Sequence, residues 1–134
     1  MESGQPKVLV VDDDDDLRDS LQLLLSSEGY AVATAQNGAE ALHKLRDDSD
    51  FSVVLLDVVM PGMNGPELRG ELLKDRELAS IPVVIMSATA EMETIARALK
   101  AADYVRKPID MDRLRSVLRA LVRLRERGLR RSRH

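Results

Sequence analysis

Apolar residues along this chain fall in short uninterrupted runs, separated by stretches in which they recur at helical spacing. The runs Val8 to Val11, Ala31 to Ala35, Val53 to Leu56, Val83 to Met86 and the brief Tyr104-Val105 predict five strands. The first, third and fourth are rich in Val, Ile and Leu and do not alternate, which is the pattern of parallel strands covered on both faces. Between the first two runs, Leu17, Leu21, Leu24 and Leu25 share one helix face, and Gly29 stands where a left-handed residue would stop that helix. Asn37-Gly38 opens a second helix with Ala41, Leu42 and Leu45 on one side, and Pro66 suits the first turn of a third ahead of Leu68 and Leu72. Ala90 to Lys100 predicts a fourth helix carrying Met92, Ile95 and Leu99, and a fifth from about Asp110 aligns Leu114, Val117, Leu118, Leu121 and Val122. Strict alternation of strand and helix implies an α/β fold with a doubly wound, five-stranded parallel sheet.

Composition narrows the chemistry. The 134 residues suit one domain, and 44% hydrophobic with 32% charged residues supply a core and exclude a disordered tail class. With zero cysteines there is no disulfide framework and no thiolate zinc site, and His43 and His134 are too isolated to form a histidine cluster. His43 falls on the polar side of its helix and is expected at the surface. No apolar run is long enough to cross a bilayer, and Met1 to Lys7 has no signal-peptide core, so the expected location is the cytoplasm, with no membrane partner.

The net charge of −3 is a cancellation. Residues 1–112 carry 11 basic and 22 acidic side chains, a net of −11, whereas residues 113–134 set nine arginines against Glu126, a net of +8. The chain therefore divides into a tail at 1–6, a domain at 7–122 and an Arg-rich extension at 123–134, expected as a frayed helix end plus tail. Clustered arginines attract phosphates, but the 12 residues after Val122 are too few for a helix-turn-helix module, so DNA binding is not expected.

In open α/β sheets, ligands bind beyond the carboxyl ends of the strands. Asp12 and Asp13 follow the first apolar run, Asp57 the third and Ser87 the fourth, and Lys107 comes two residues after Val105. Each alone has a bland reading: a block of aspartates is usually a solvated turn, and a lone Asp or Ser at a strand end is usually a cap. Their joint occurrence at successive strand ends is what points to a site. Carboxylates about 4 Å apart repel by on the order of 4 kcal/mol at an effective dielectric of ~20, so converging aspartates call for a cation. Oxygen ligands without His or Cys suit Mg²⁺, commonly held together with phosphate oxygens. A lysine and a hydroxyl at the same rim complete a cradle for a phosphoryl group, with Asp57 as ligand or nucleophile. A calcium loop is excluded, because it needs Gly where Leu17 stands and Glu where Leu23 stands. Asp14 to Asp16 are left to the turn and helix start, with Asp15 as the expected cap.

Val-Leu-Val-Val-Asp-Asp at 8–13, Leu-Leu-Asp-Val-Val-Met-Pro-Gly-Met-Asn-Gly at 55–65, Ile-Met-Ser-Ala at 85–88 and Asp-Tyr-Val-Arg-Lys-Pro at 103–108 resemble the receiver domain of bacterial two-component response regulators. The likeness spans about residues 7–122 and is to the stand-alone, single-domain type. It implies a flavodoxin-like (βα)5 fold with strand order 2-1-3-4-5. It further implies that Asp57 accepts a phosphoryl group from the phosphohistidine of a sensor histidine kinase or phosphotransfer protein. Asp13, Asp57 and the Val59 carbonyl would bind Mg²⁺ directly, with Asp12 acting through water. Ser87 and Lys107 would contact the phosphoryl oxygens, Tyr104 would be the aromatic switch, and the Lys107-Pro108 bond would be cis. The face of the fourth helix, fifth strand and fifth helix would then contact an unknown downstream protein or a second copy. Such a protein is a phosphoacceptor that takes part in its own transfer chemistry rather than an enzyme. Two departures from the family pattern matter. Ala101 stands where Gly is common, which implies a distorted turn before the fifth strand or an altered end to the fourth helix. Val59 and Thr89 bear no acid or amide able to orient water, which implies a long-lived phosphoryl state.

Overall fold

The computed structural model describes residues 5–58 and 65–132, with side chains through residue 128. Strands β1 (Lys7–Val11), β2 (Ala31–Ala35), β3 (Val53–Asp57), β4 (Val83–Ser87) and β5 (Asp103–Arg106) form one parallel sheet in the order β2-β1-β3-β4-β5. The helices are α1 (Asp15–Ser27), α2 (Gly38–Asp47), α3 (Gly65–Leu73), α4 (Arg76–Ala79), α5 (Met92–Ala98) and α6 (Met111–Ser132). The fold class and strand order are those expected.

Uninterrupted apolar runs become two cores because successive strand residues face opposite sides of the sheet. Leu9, Val11, Val54, Leu56, Val83 and Ile85 face α2, α3, α4 and α5, whereas Val8, Val10, Val53, Leu55, Val84 and Met86 face α1 and α6. Leu21 and Leu25 of α1 and Leu114, Val117, Leu118 and Val122 of α6 close the second core. A Leu-to-Ala truncation in such a core costs about 2–5 kcal/mol, so the central strands are held rigidly at the place where they end. The outer strands β2 and β5 are only partly buried, as sheet edges must be.

Three features depart from the sequence expectations. First, α4 is a sixth helix, one turn long. Asp75 accepts hydrogen bonds from the amides of Glu77 and Leu78, and Leu78 is buried, which makes one turn stable where no periodicity could show it. The fourth and fifth helices expected from sequence are therefore α5 and α6. Second, α6 runs unbroken to Ser132, so no fray begins at Arg123. Arginine is a good helix former, and Arg125 donates to the Ser80 carbonyl at 3.3 Å. Third, the backbone turns left-handed before β5 at Lys100 (φ 55), one residue ahead of the Ala101 that sequence singled out. The Lys100 amide bonds the Arg97 carbonyl at 3.1 Å and the Ala101 amide the Ala96 carbonyl at 2.8 Å, a Schellman closure of α5. At α1 the same demand falls, as expected, on Gly29 (φ 97).

A left-handed L-residue costs about 1–2 kcal/mol, part of which glycine returns to the flexibility of the unfolded chain. Lys100→Gly should therefore raise stability by about 0.5–1 kcal/mol. In urea titration the midpoint should move up at constant slope; a lower midpoint would refute the assignment of strain to Lys100.

Candidate functional site

Parallel register assembles the polar strand ends. Val11 lies opposite Leu56, so Asp12 and Asp57 are neighbours at the next step. Asp57 pairs with Met86, which puts Ser87 one position farther along β4. Ser87 pairs with Arg106, and Lys107 follows. One carboxylate oxygen from each of Asp12, Asp13 and Asp57 lies within 4.8 Å of the others. Asp12 and Asp57 are buried and Asp13 is exposed.

Lys107 neutralises part of this cluster. Its Nζ donates to Asp12 Oδ2 at 2.8 Å and lies 3.6 Å from Asp57 Oδ2. Burial pulls the lysine pKa down, but the hydrogen bond to Asp12 and the charges of Asp57 and Asp12 outweigh it, so the ammonium is held above its ordinary value. Three carboxylates and one ammonium leave a formal charge of −2, which a divalent cation would balance. The donors are all oxygen, the chemistry of a hard ion such as Mg²⁺. The residues present thus fit the metal implied by the sequence.

The run of aspartates is divided by structure. Asp12 Oδ1 accepts from the Asp14 amide at 2.9 Å, and the Asp12 amide donates to the Ala35 carbonyl at 3.1 Å. Asp14, rather than Asp15, caps α1, accepting from the Leu17 amide at 3.2 Å. Asp15 is already helical and its carboxylate is taken by Arg18 Nη2 at 2.5 Å. The same guanidinium donates from Nη1 to the Asp12 carbonyl at 2.8 Å. Arg18 thereby steadies the loop from below. Sequence reasoning missed it, although its spacing of three from Asp15 was a visible pairing signal.

At β4 and β5 the ends are tied to each other. The Lys107 amide donates to the Ser87 carbonyl at 2.8 Å, and the buried Ser87 Oγ accepts from the Thr89 amide at 3.2 Å. Thr89 Oγ1 donates to Glu91 Oε2 at 2.5 Å, and Arg106 Nη1 donates to the Thr89 carbonyl at 3.2 Å. The Lys107-Pro108 peptide bond is cis. Tyr104 is half-buried against the same core as Leu99 and Ala101, on the side of the sheet that carries α5. Val59 lies outside the described residues. His43 is exposed, with Nε2 3.7 Å from an Asp47 carboxylate oxygen, and takes no part in the cluster.

Gly65, the first residue of α3, rests on the backbone that carries Asp57. A Cβ there would lie 2.8 Å from Val58 Cα and 3.3 Å from the Asp57 carbonyl oxygen, so only glycine lets the helix start this close to the acid.

Comparison with known proteins agrees with this geometry. Residues 8–119 match the family model of the response regulator receiver domain. The transcriptional regulatory protein ZraR of Klebsiella oxytoca is 43% identical over 120 residues, which are 88% of this chain and 26% of ZraR. Protein PilH of Pseudomonas aeruginosa is 34% identical over 119 residues, 87% of this chain and 97% of PilH. The chain thus spans about a quarter of the first relative and nearly all of the second. The structure of the chemotaxis protein CheY4 of Vibrio cholerae superposes with a TM-score of 0.80 at 29% identity, covering 88% of this chain and 99% of that one.

The exposed position of Asp13 makes the cluster's repulsion testable. Removing one of three mutually repelling carboxylates relieves about 1 kcal/mol at solvent-like dielectric. Asp13→Ala should therefore be more stable than wild type in metal-free, low-salt buffer, and should lose the upward shift in melting temperature that Mg²⁺ gives wild type. A destabilised variant, or one that still responds fully to Mg²⁺, would show that the three acids do not act as one cluster.

Proposed function

The chain belongs to the response regulator receiver family of two-component systems, and on that premise we propose that it accepts a phosphoryl group at Asp57 and thereby switches a protein-contact surface. The observation that carries this reading is the convergence of Asp57 with Asp12, Asp13 and Lys107 at one rim of the sheet.

The donor is the phosphohistidine of a sensor histidine kinase or phosphotransfer protein. An Asp57 carboxylate oxygen attacks phosphorus, the O–P bond forms as the N–P bond breaks, and the histidine leaves with its electron pair. Phosphoryl transfer of this kind depends on positioning and charge neutralisation more than on acid-base chemistry. The β3 register and the Gly65 contact fix Asp57, and the core beneath it excludes water from one side. Asp13, Asp57 and the Val59 carbonyl would hold Mg²⁺, with Asp12 acting through water, and the ion would offset charge on the acids and on the transferred oxygens. Lys107 stands close enough to Asp57 to pair with the new anion, and the Ser87 hydroxyl retains its proton for donation.

The added charge biases a pre-existing equilibrium because Lys107 and Ser87 interact differently with the two forms of Asp57. Ser87 is bonded to Thr89 at the head of α5, so a hydroxyl drawn to the phosphoryl group disturbs that loop, and Tyr104 packs against the core that α5 covers. The surface of α5, β5 and α6 is the output face, for a downstream protein or a second copy, and the work is cytoplasmic. The Thr89 hydroxyl, engaged with Glu91, presents no acid of its own to a hydrolytic water, which supports a long-lived phosphoryl state.

Intact mass after incubation with a small phosphodonor tests the assignment. Wild type should gain one phosphoryl mass only with Mg²⁺, Asp57→Ala should gain none, and the label should decay slowly once the donor is removed. An Asp57→Ala variant labelled like wild type would place the acceptor elsewhere, and rapid decay would refute the long lifetime.

A further inference from the structure

Arg69 lies in α3, outside the carboxylate cluster, and only 6% of it is exposed. Its Nε donates to the Leu99 carbonyl at 2.9 Å and its Nη2 to the Lys100 carbonyl at 3.1 Å. The remaining nitrogen, Nη1, is buried and has no hydrogen-bond partner among the described residues. A buried guanidinium ordinarily meets a carboxylate. Here two main-chain carbonyls at the end of α5 take that place.

Those carbonyls are suited to it. Leu99 is the cap of α5 and Lys100 the left-handed residue beyond it, where carbonyl groups lack partners within the helix and the helix dipole is negative. Burial lowers the pKa of Arg69 from its ordinary value, which still leaves it charged near neutrality. The rest of α5 is lightly held. It has seven residues, buries only Met92 and Ala96, and has no side-chain cap at its start. Arg69 is thus a two-pronged polar tie between α3, which begins against the Asp57 backbone, and the far end of the helix that starts beside Ser87 and Thr89.

We propose that Arg69 is a positioning residue for the switch: it latches the end of α5 to α3 in the unphosphorylated arrangement, and α5 shifts only as those two bonds are released or remade. This rests on the reading of Asp57 as the phosphoacceptor. The orphan Nη1 is what keeps the latch reversible. A guanidinium with an unused buried donor is held less firmly than a fully paired one, and any shift of α5 that offers another carbonyl compensates for a bond given up. A latch of this kind opposes activation, so weakening it brings the activated arrangement closer in free energy even though it loosens the resting fold.

Two readouts separate these effects. In Arg69→Met, which keeps bulk but donates no hydrogen bond, amide hydrogen exchange over residues 95–104 should quicken about tenfold in the unphosphorylated protein, while the β1 and β3 amides keep their protection. Affinity for beryllofluoride with Mg²⁺, a stand-in for the phosphoryl group, should rise by about fivefold or more even as the melting temperature falls. Arg69→Lys, with the charge but one prong, should fall between wild type and Arg69→Met in both, and decides the matter if the Met variant does not fold. Unchanged exchange at 95–104 would overturn the latch whatever Asp57 does, and weaker or equal beryllofluoride affinity with faster exchange would reduce Arg69 to a structural tie. Failure of wild type to bind beryllofluoride would instead strike the Asp57 reading, with the exchange data still reporting on the tie itself.

Discussion

Mutual repulsion among three carboxylates is the constraint from which the rest of this molecule follows. Parallel register brings Asp12 and Asp57 together, the loop adds Asp13, and nothing in a hydrophobic fold would gather them without compensation. Compensation comes in pieces: Lys107 from beyond the end of β5, the Asp14 main-chain amide on Asp12, and Arg18 under the loop. The apolar central strands, packed on both faces, hold the acids in a place they would otherwise leave. The result is a rim of concentrated negative charge whose groups are fixed by the sheet before any ligand is bound.

Much of this was legible in the amino-acid sequence, for a physical reason. Uninterrupted apolar runs admit few arrangements other than covered parallel strands, and a parallel sheet sends all its carboxyl ends to one rim, so Asp12, Asp57, Ser87 and Lys107 could be placed from order alone. What escaped has equally plain causes. The helical turn at Arg76–Ala79 is a single turn, too short for any periodicity to repeat. Asp14 and Asp15 offer the same chemistry one residue apart, and only backbone geometry chooses between them. Arg69 sits beside Leu68 and three residues before Leu72, on the apolar stripe of its helix. That misplaced charge was a signal, yet its partners are carbonyls some thirty residues away that no side-chain pattern reports. The persistence of α6 was underrated because missing apolar residues were weighed more heavily than the helix propensity of arginine.

The two faces of the sheet do different work. Beneath β1, β3 and β4, α1 and α6 close a broad aliphatic core, and Arg115 of α6 reaches across to Glu28 at the end of α1 at 2.6 Å. That side is the stator. On the other face the helices are shorter, and α5 is attached by one buried pair of side chains, a strained left-handed turn and a guanidinium. Local stability varies within a fold, and the elements that move are drawn from its weakly held end. The start of α5 lies close to Thr89, whose amide bonds Ser87 Oγ.

The unbroken course of α6 gives that asymmetry a mechanical outlet. Its 22 residues make a rod about 33 Å long at ~1.5 Å per residue, seated at its start beside Lys107-Pro108 and bonded through Arg125 to the Ser80 carbonyl, ahead of β4 at the other end of the sheet. A rigid rod magnifies angle into distance. A tilt of about 5° where it leaves the carboxylate rim moves its far end by about 3 Å, comparable to half a helical turn. A small angular change at one end of the sheet would thereby become a displacement at the other.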